Sequence, residues 1–226
     1  MSTDPIIEGY TLGVFQSNTY IAAARDGRTA VVIDPGEDAD EVVLERLDAL
    51  GLTVEAVLLT HGHIDHIWTA GPIADAASVP AFIHPEDQWL LADPGAALGA
   101  MGLGKWEVGL PSDIRPIADG DVLTYGGLTI GVRHTPGHTP GHCVFITDGI
   151  MFSGDLIFAG SVGRTDFPRG SLEDLMSSIR DVVLPMDDEV VIYPGHMGAT
   201  TVGRERTTNP FVIADARGEL PRLLGL

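Results

Sequence analysis

Between Thr60 and His66 the chain reads Thr-His-Gly-His-Ile-Asp-His, which places three imidazoles and a carboxylate within six residues. Coordinating groups are packed this densely in order to wrap a cation. His61 and His63 are two apart and project the same way from an extended segment. Asp65 and His66 are adjacent and must diverge, which suits two neighbouring cations better than one. Gly62 leaves the backbone room to turn. A lone histidine is more often a satisfied core or surface residue, but four ligand-type residues at this spacing are not. A zincin helix would need His-Glu-x-x-His, which is absent.

The elements that must position these groups are legible around them. Residues 54–59 are aliphatic and β-branched with one Glu, the pattern of a strand buried on both faces. Strands of that kind present sites at their carboxyl ends. Three further groups stand at comparable places: His138 after Pro136-Gly137, Asp155 after Ser153-Gly154, and His196 after Pro194-Gly195. His142 enters the next strand and reads as a core or supporting histidine, His84 and His134 as structural. Cys143, in an apolar strand, reads as a small buried hydrophobe.

His-x-His-x-Asp-His after an apolar strand, with Thr135-Pro136-Gly137-His138-Thr139, Ser153-Gly154-Asp155 and Pro194-Gly195-His196 following in order, resembles the metallo-β-lactamase superfamily. The similarity runs from about Asn18 to Phe211. Gly160-Ser161-Val162-Gly163-Arg164-Thr165-Asp166-Phe167-Pro168 and residues 203–211 resemble the short glyoxalase II-like, or hydroxyacylglutathione hydrolase-like, branch. The resemblance implies a four-layer αβ/βα sandwich of α+β and α/β character. It implies that His61, His63 and His138 hold one ion, that Asp65, His66 and His196 hold another, and that Asp155 bridges them. Asp65 and Asp155 are then also the catalytic candidates. Imidazole and carboxylate without thiolate suit two divalent ions, zinc first, with iron or manganese as alternatives. Two such ions share a hydroxide and polarise an acyl oxygen, so no protein nucleophile is needed.

The reaction so implied is hydrolysis of an S-acyl thioester such as S-lactoylglutathione. The chain stops about thirty residues after His196, short of the C-terminal helical region with which glyoxalase II enzymes hold glutathione, so the carrier thiol stays open. Three alternatives remain. One is a mononuclear-iron persulfide dioxygenase, a branch that shares Gly163-Arg164-Thr165-Asp166-Phe167. Another is a lactonase or β-lactamase of the same fold. The last is an inert metal-stabilised module, against which seven ligand candidates without a thiolate weigh. Arg164, Arg204 and Arg206 are candidates to pair with substrate carboxylates; each is otherwise expected to pair with neighbouring acids such as Asp166 and Glu205.

Composition narrows the class. With 226 residues, 44% apolar and 20% charged, residues 1–226 are expected to form one domain with a sizeable core. One cysteine excludes an intrachain disulfide, and the N-terminus has no basic region followed by an apolar stretch. A cytoplasmic, unanchored protein is expected. A formal charge of −19 argues against nucleic acid as a partner, since phosphate needs a basic surface.

Periodicity and turn residues predict strands over 10–15, 18–24 and 29–34, then a helix over 38–50. The motif strand follows, then a helix over 64–77, a strand over 80–83 and a helix over 85–91. Residues 93–113 hold five glycines, two prolines and scattered apolar side chains; a lid or pocket wall is one expectation and a self-packed surface loop the other. Strands over 123–125, 128–133, 143–147 and 150–152, a helix capped by Ser171, a strand over 190–193 and a terminal helix or tail complete the chain.

Overall fold

The computed structural model describes residues 4–97 and 108–220. The first half contributes β1 (Ile6–Leu12), β2 (Ser17–Ala23), β3 (Thr29–Ile33), α1 (Ala39–Leu50), β4 (Thr53–Leu58), α2 (Ile64–Ile67), α3 (Ala70–Ala77), β5 (Ala81–Ile83), α4 (Gln88–Ala92) and β6 (Ile114–Pro116). Its strands form one sheet in sequence order, antiparallel from β1 to β3 and parallel from β3 to β6.

The second half contributes β7 (Val122–Tyr125), β8 (Leu128–His134), β9 (Cys143–Thr147), β10 (Ile150–Gly154), a hairpin of β11 (Ile157–Phe158) and β12 (Ser161–Val162), α5 (Leu172–Ser178), β13 (Val191–Pro194), β14 (Thr200–Thr201), α6 (Val202–Thr208) and α7 (Pro210–Ala216). Its sheet runs β14-β13-β10-β9-β8-β7, and only β10 and β13 pair in parallel.

Alternation along the strands divides the apolar side chains into three cores. Val32 and Val57 face Val43, Leu47 and Ile73 of the first helical layer. Val31, Ile33 and Leu58 face Ile130, Phe145 and Phe152 between the sheets. Val144, Met151 and Ile192 face Leu175, Ile179 and Val212 of the second helical layer. Two-residue alternation thus yields the four-layer αβ/βα sandwich.

Several boundaries differ from expectation. β1 begins at Ile6 and stops at Leu12, because Gly13 turns at φ 66° to open the hairpin whose last pair is Leu12 and Ser17. The single helix over 64–77 is two, α2 and α3. Thr69 interrupts it at φ −107°, ψ 15°; its N–H donates to Pro35 O and its hydroxyl to Gly36 O. Ser171 caps α5 as expected, its hydroxyl accepting from Asp174 N. Residues 98–107 of the segment expected as a lid or surface loop lie outside the described residues. Its flanks are fixed: Gly71 N donates to Gly109 O, and the N–H and hydroxyl of Ser112 donate to Asp75.

Candidate metal centre

Every candidate ligand leaves the carboxyl end of a strand or the first turn beyond it. His61 and His63 follow β4, Asp65 and His66 open α2, His138 follows β8, Asp155 follows β10 and His196 follows β13. The two halves are stitched at this end by Cys143 N donating to Thr60 O and Asn18 N donating to Gly195 O, each at 2.7 Å. Gly195 is obligatory, since a Cβ there would collide with the Asp155 carboxylate and the His66 ring.

The seven expected residues converge. His61, His63 and His138 form one group of facing donor atoms, and Asp65, His66 and His196 another. Asp155 lies between them: Oδ1 is 3.5 Å from His66 Nε2, and Oδ2 is 3.4 Å from His138 Nε2 and 3.6 Å from His196 Nε2. Asp65 Oδ2 is 3.4 Å from His66 Nε2 and 3.2 Å from His196 Nε2.

These separations are long for hydrogen bonds but fit donors around a cation. Two metal–ligand bonds of about 2.0–2.1 Å at a tetrahedral angle hold their donor atoms about 3.3 Å apart. Among the described residues, five buried side-chain polar atoms have no hydrogen-bond partner, and three are His61 Nε2, His66 Nε2 and Asp155 Oδ1. Burying such atoms unpaired is costly, and a cation in each donor group would satisfy all three. The residues present therefore fit two divalent cations.

The opposite ring nitrogens are anchored so that the lone pairs aim inward. His66 Nδ1 donates to Asp34 Oδ2 at 3.1 Å, His138 Nδ1 to Arg164 O at 2.7 Å and His196 Nδ1 to Gln16 O at 3.1 Å. Thr60 donates its hydroxyl to Asp34 Oδ2 at 2.6 Å and accepts from His61 Nδ1 at 3.0 Å. His63 presents Nδ1 instead, 2.8 Å from His138 Nε2. Such outer partners fix tautomer and ring orientation at metal sites.

The electrostatics divide along the same line. Burial, followed by repulsion among neighbouring imidazoles, drives the pKa of His61 well below its ordinary value. His63 is driven down by burial and His138, and burial likewise lowers His138. These three rings are neutral lone-pair donors. Burial also opposes charge on His66 and His196, but the carboxylates of Asp65 and Asp155 overcome it and raise both. Burial resists ionisation of Asp65, yet His66 and His196 prevail and hold it well below the usual carboxylate range.

His142 supports rather than ligates. Its Nε2 accepts from Asp155 N at 3.1 Å and its Nδ1 donates to Thr135 Oγ1 at 2.9 Å. Of the arginines, Arg164 is at the edge of the site. Its guanidinium is paired with Asp166 by two 2.7 Å bonds and lies 4.0 Å over the Phe167 ring, which packs edge-on against His63. Arg206 is engaged away from the donor groups. It donates to Leu184 O and Met186 O and pairs with Asp188, pinning the turn before β13. Arg204 is exposed on α6. Among the described residues Glu205 meets no arginine. It is fully buried and accepts from Gly160 N, Thr200 Oγ1 and Asn209 Nδ2, which fixes the hairpin whose Phe158 packs against His196.

Asp34 escaped sequence reasoning. It is buried at φ 49° and accepts from Thr60 N, Thr60 Oγ1 and His66 Nδ1. The available signal was an acid ending an otherwise apolar strand beside the motif strand.

A profile of the Metallo-beta-lactamase superfamily matches residues 12–196. A hydroxyacylglutathione hydrolase, GloC, of Haemophilus influenzae is 38% identical over 190 residues, covering 83% of this chain and 89% of that one. The crystal structure of the B3 metallo-beta-lactamase BLEG-1 superposes with a TM-score of 0.82 at 34% identity, covering 92% and 99% of the two chains. That of TTHA1623 in a di-iron-bound form gives 0.79 at 37% identity, covering 90% and 99%.

Proposed function

The chain belongs to the metallo-β-lactamase superfamily, and from that membership we propose that it hydrolyses S-acyl thioesters, with S-lactoylglutathione or the same ester of another thiol as substrate. The observation that carries the proposal is the Asp155 carboxylate, which faces both donor groups, Oδ1 toward His66 and Oδ2 between His138 and His196. The likeness to GloC supports thioester chemistry, and the di-iron neighbour supports a two-ion centre. Zinc is proposed first, iron or manganese second.

Two cations bound there supply Lewis-acid polarisation of the acyl oxygen and acidify water near neutral pH. The protein's own part is placement. Asp65 and Asp155 set carboxylate oxygens where an attacking water gives up its proton. Phe158 and Phe167 wall the two flanks with apolar rings, beside His196 and His63 respectively. Arg164, over Phe167, stands where a substrate carboxylate would exchange for Asp166. In the reaction the water oxygen joins the acyl carbon, the C–S bond breaks and the thiolate leaves. A small anionic thioester is the proposed partner and the cytoplasm the proposed compartment. No helix among the described residues is long and apolar enough to cross a membrane.

Elemental analysis with S-lactoylglutathione turnover, with and without oxygen, tests this. About two ions per chain and oxygen-independent cleavage are expected. One iron with O₂ uptake on glutathione persulfide overturns it, as does β-lactam cleavage without thioester cleavage, the outcome that the likeness to BLEG-1 makes worth measuring.

A further inference from the structure

The loop carrying His61 and His63 meets the loop carrying His138 at a carboxylate that belongs to neither ligand group. Asp87 closes the single 3₁₀ turn Pro85–Asp87 between β5 and α4 and is fully buried. Its Oδ2 accepts from Gly62 N at 2.9 Å and from Thr139 Oγ1 at 2.6 Å, and its Oδ1 accepts from Gly141 N at 2.6 Å. Gly62 separates two candidate ligands, Thr139 follows the third, and Gly141 precedes the histidine that holds Asp155 N. The seat is cut to backbone: a Cβ on Gly62 would lie 3.0 Å from Asp87 O and 2.8 Å from Leu90 Cβ, and one on Gly141 would lie 2.6 Å from Asp87 N.

Among the described residues no ion pair involves Asp87. A buried anion held only by neutral donors is expensive unless charge of the opposite sign stands near. Merely closing a turn does not require one. All three partners are donors, so an amide in its place would aim N–H at N–H. The group it adjoins consists of three neutral imidazoles, with no carboxylate of its own beyond the shared Asp155.

We propose that Asp87 is the positioning residue of the three-histidine group. It locks the spacing of the two loops so that His61, His63 and His138 meet one ion, and its negative charge favours that ion. The inference rests on the two-ion centre under Proposed function.

Zinc titration of the metal-free full chain against a chromophoric chelator tests it, with thermal transitions of the metal-free forms recorded alongside. Asp87→Asn is expected to weaken one of the two ions by about tenfold to a hundredfold while the other stays near wild type. In a His63→Ala background the same substitution should add little, because the site it serves is already broken. Thr139→Val removes one donor and should weaken the same ion by a smaller factor, with the metal-free transition still cooperative and lowered by about 2–4 °C; it stands in should Asp87→Asn fail to fold. Both ions at wild-type affinity in folded Asp87→Asn, or zinc binding unchanged in Thr139→Val, overturns the inference. A wild-type chain that takes up no zinc removes the two-ion centre itself, and Asp87's role with it.

Discussion

His66 is tethered from behind by Asp34, whose Oδ2 receives the ring Nδ1–H at 3.1 Å while the same carboxylate holds the N–H and hydroxyl of Thr60. One buried acid therefore orients the histidine inside α2 and, through Thr60, the ring of His61. Asp34→Asn keeps the shape but replaces one acceptor oxygen by a donor. It should cost about tenfold to a hundredfold in metal affinity, as such outer partners do elsewhere. Chelator competition measures it, and wild-type affinity would show the tether to be dispensable.

Asp155→Ala should remove metal and activity together, because this side chain faces both donor groups. Elemental analysis of the purified variant is the check. Two ions per chain in Asp155→Ala would end the bridging role.

Arg164→Ala should raise KM several-fold and leave kcat near wild type, the pattern for a contact made equally in ground and transition states. The guanidinium already holds the Asp166 carboxyl down at about 2, so substrate must displace a solvent-exposed partner, which keeps the effect modest. Unchanged kinetics would retire the arginine. Arg206→Ala should instead lower stability with KM unmoved, since its partners are the carbonyls of Leu184 and Met186.

Replacing Glu205 by alanine strands two buried donors, Thr200 Oγ1 and Asn209 Nδ2, and leaves the N–H of exposed Gly160 to solvent. At about 1 kcal/mol or more for each buried donor, the loss is about 2 kcal/mol, which for a chain of this size lowers Tm by about 4–8 °C. Calorimetry of the metal-free protein checks this. An unshifted transition would mean that Thr200 and Asn209 find other partners.

The metal-free protein should lose stability on acidification. His61, His63, His138 and His142 are held below their ordinary value of 6.5, chiefly by burial. For groups depressed in the folded state, stability is complete above the unfolded pKa and drains away as pH falls through the folded one. His66 and His196 are raised, so their contribution is complete below 6.5 and lost as pH climbs. Tm should peak near neutrality and fall below pH 6.5. A Tm still rising toward pH 5 would contradict this balance.

The convergence of the candidate ligands was legible because each is a chemically loud residue placed just after an apolar strand, and the spacing at His61, His63, Asp65 and His66 is dense. The layers were legible for a similar reason, as in Val31, Val32 and Ile33, where alternate residues serve different cores. Asp34 and Asp87 were not, since a single acid near a turn looks like any surface acid until its donors arrive from elsewhere: Thr60 lies 26 positions from Asp34, and Gly141 lies 54 from Asp87. The break at Thr69 depends likewise on carbonyls of Pro35 and Gly36. The place of Arg206 was not legible because charge reveals nothing of which carbonyls stand within reach.

Because His61, His63, Asp65 and His66 come from the first sheet's side and His138, Asp155 and His196 from the second's, bound cations would act as rivets between the halves. His63 and His138 are 75 positions apart, so coordination would close a long loop that the unfolded chain leaves open, and its entropic cost grows only slowly with length. Starvation for metal would then loosen the seam between the sheets as well as silence the chemistry, making the fold's cohesion a gauge of its cargo.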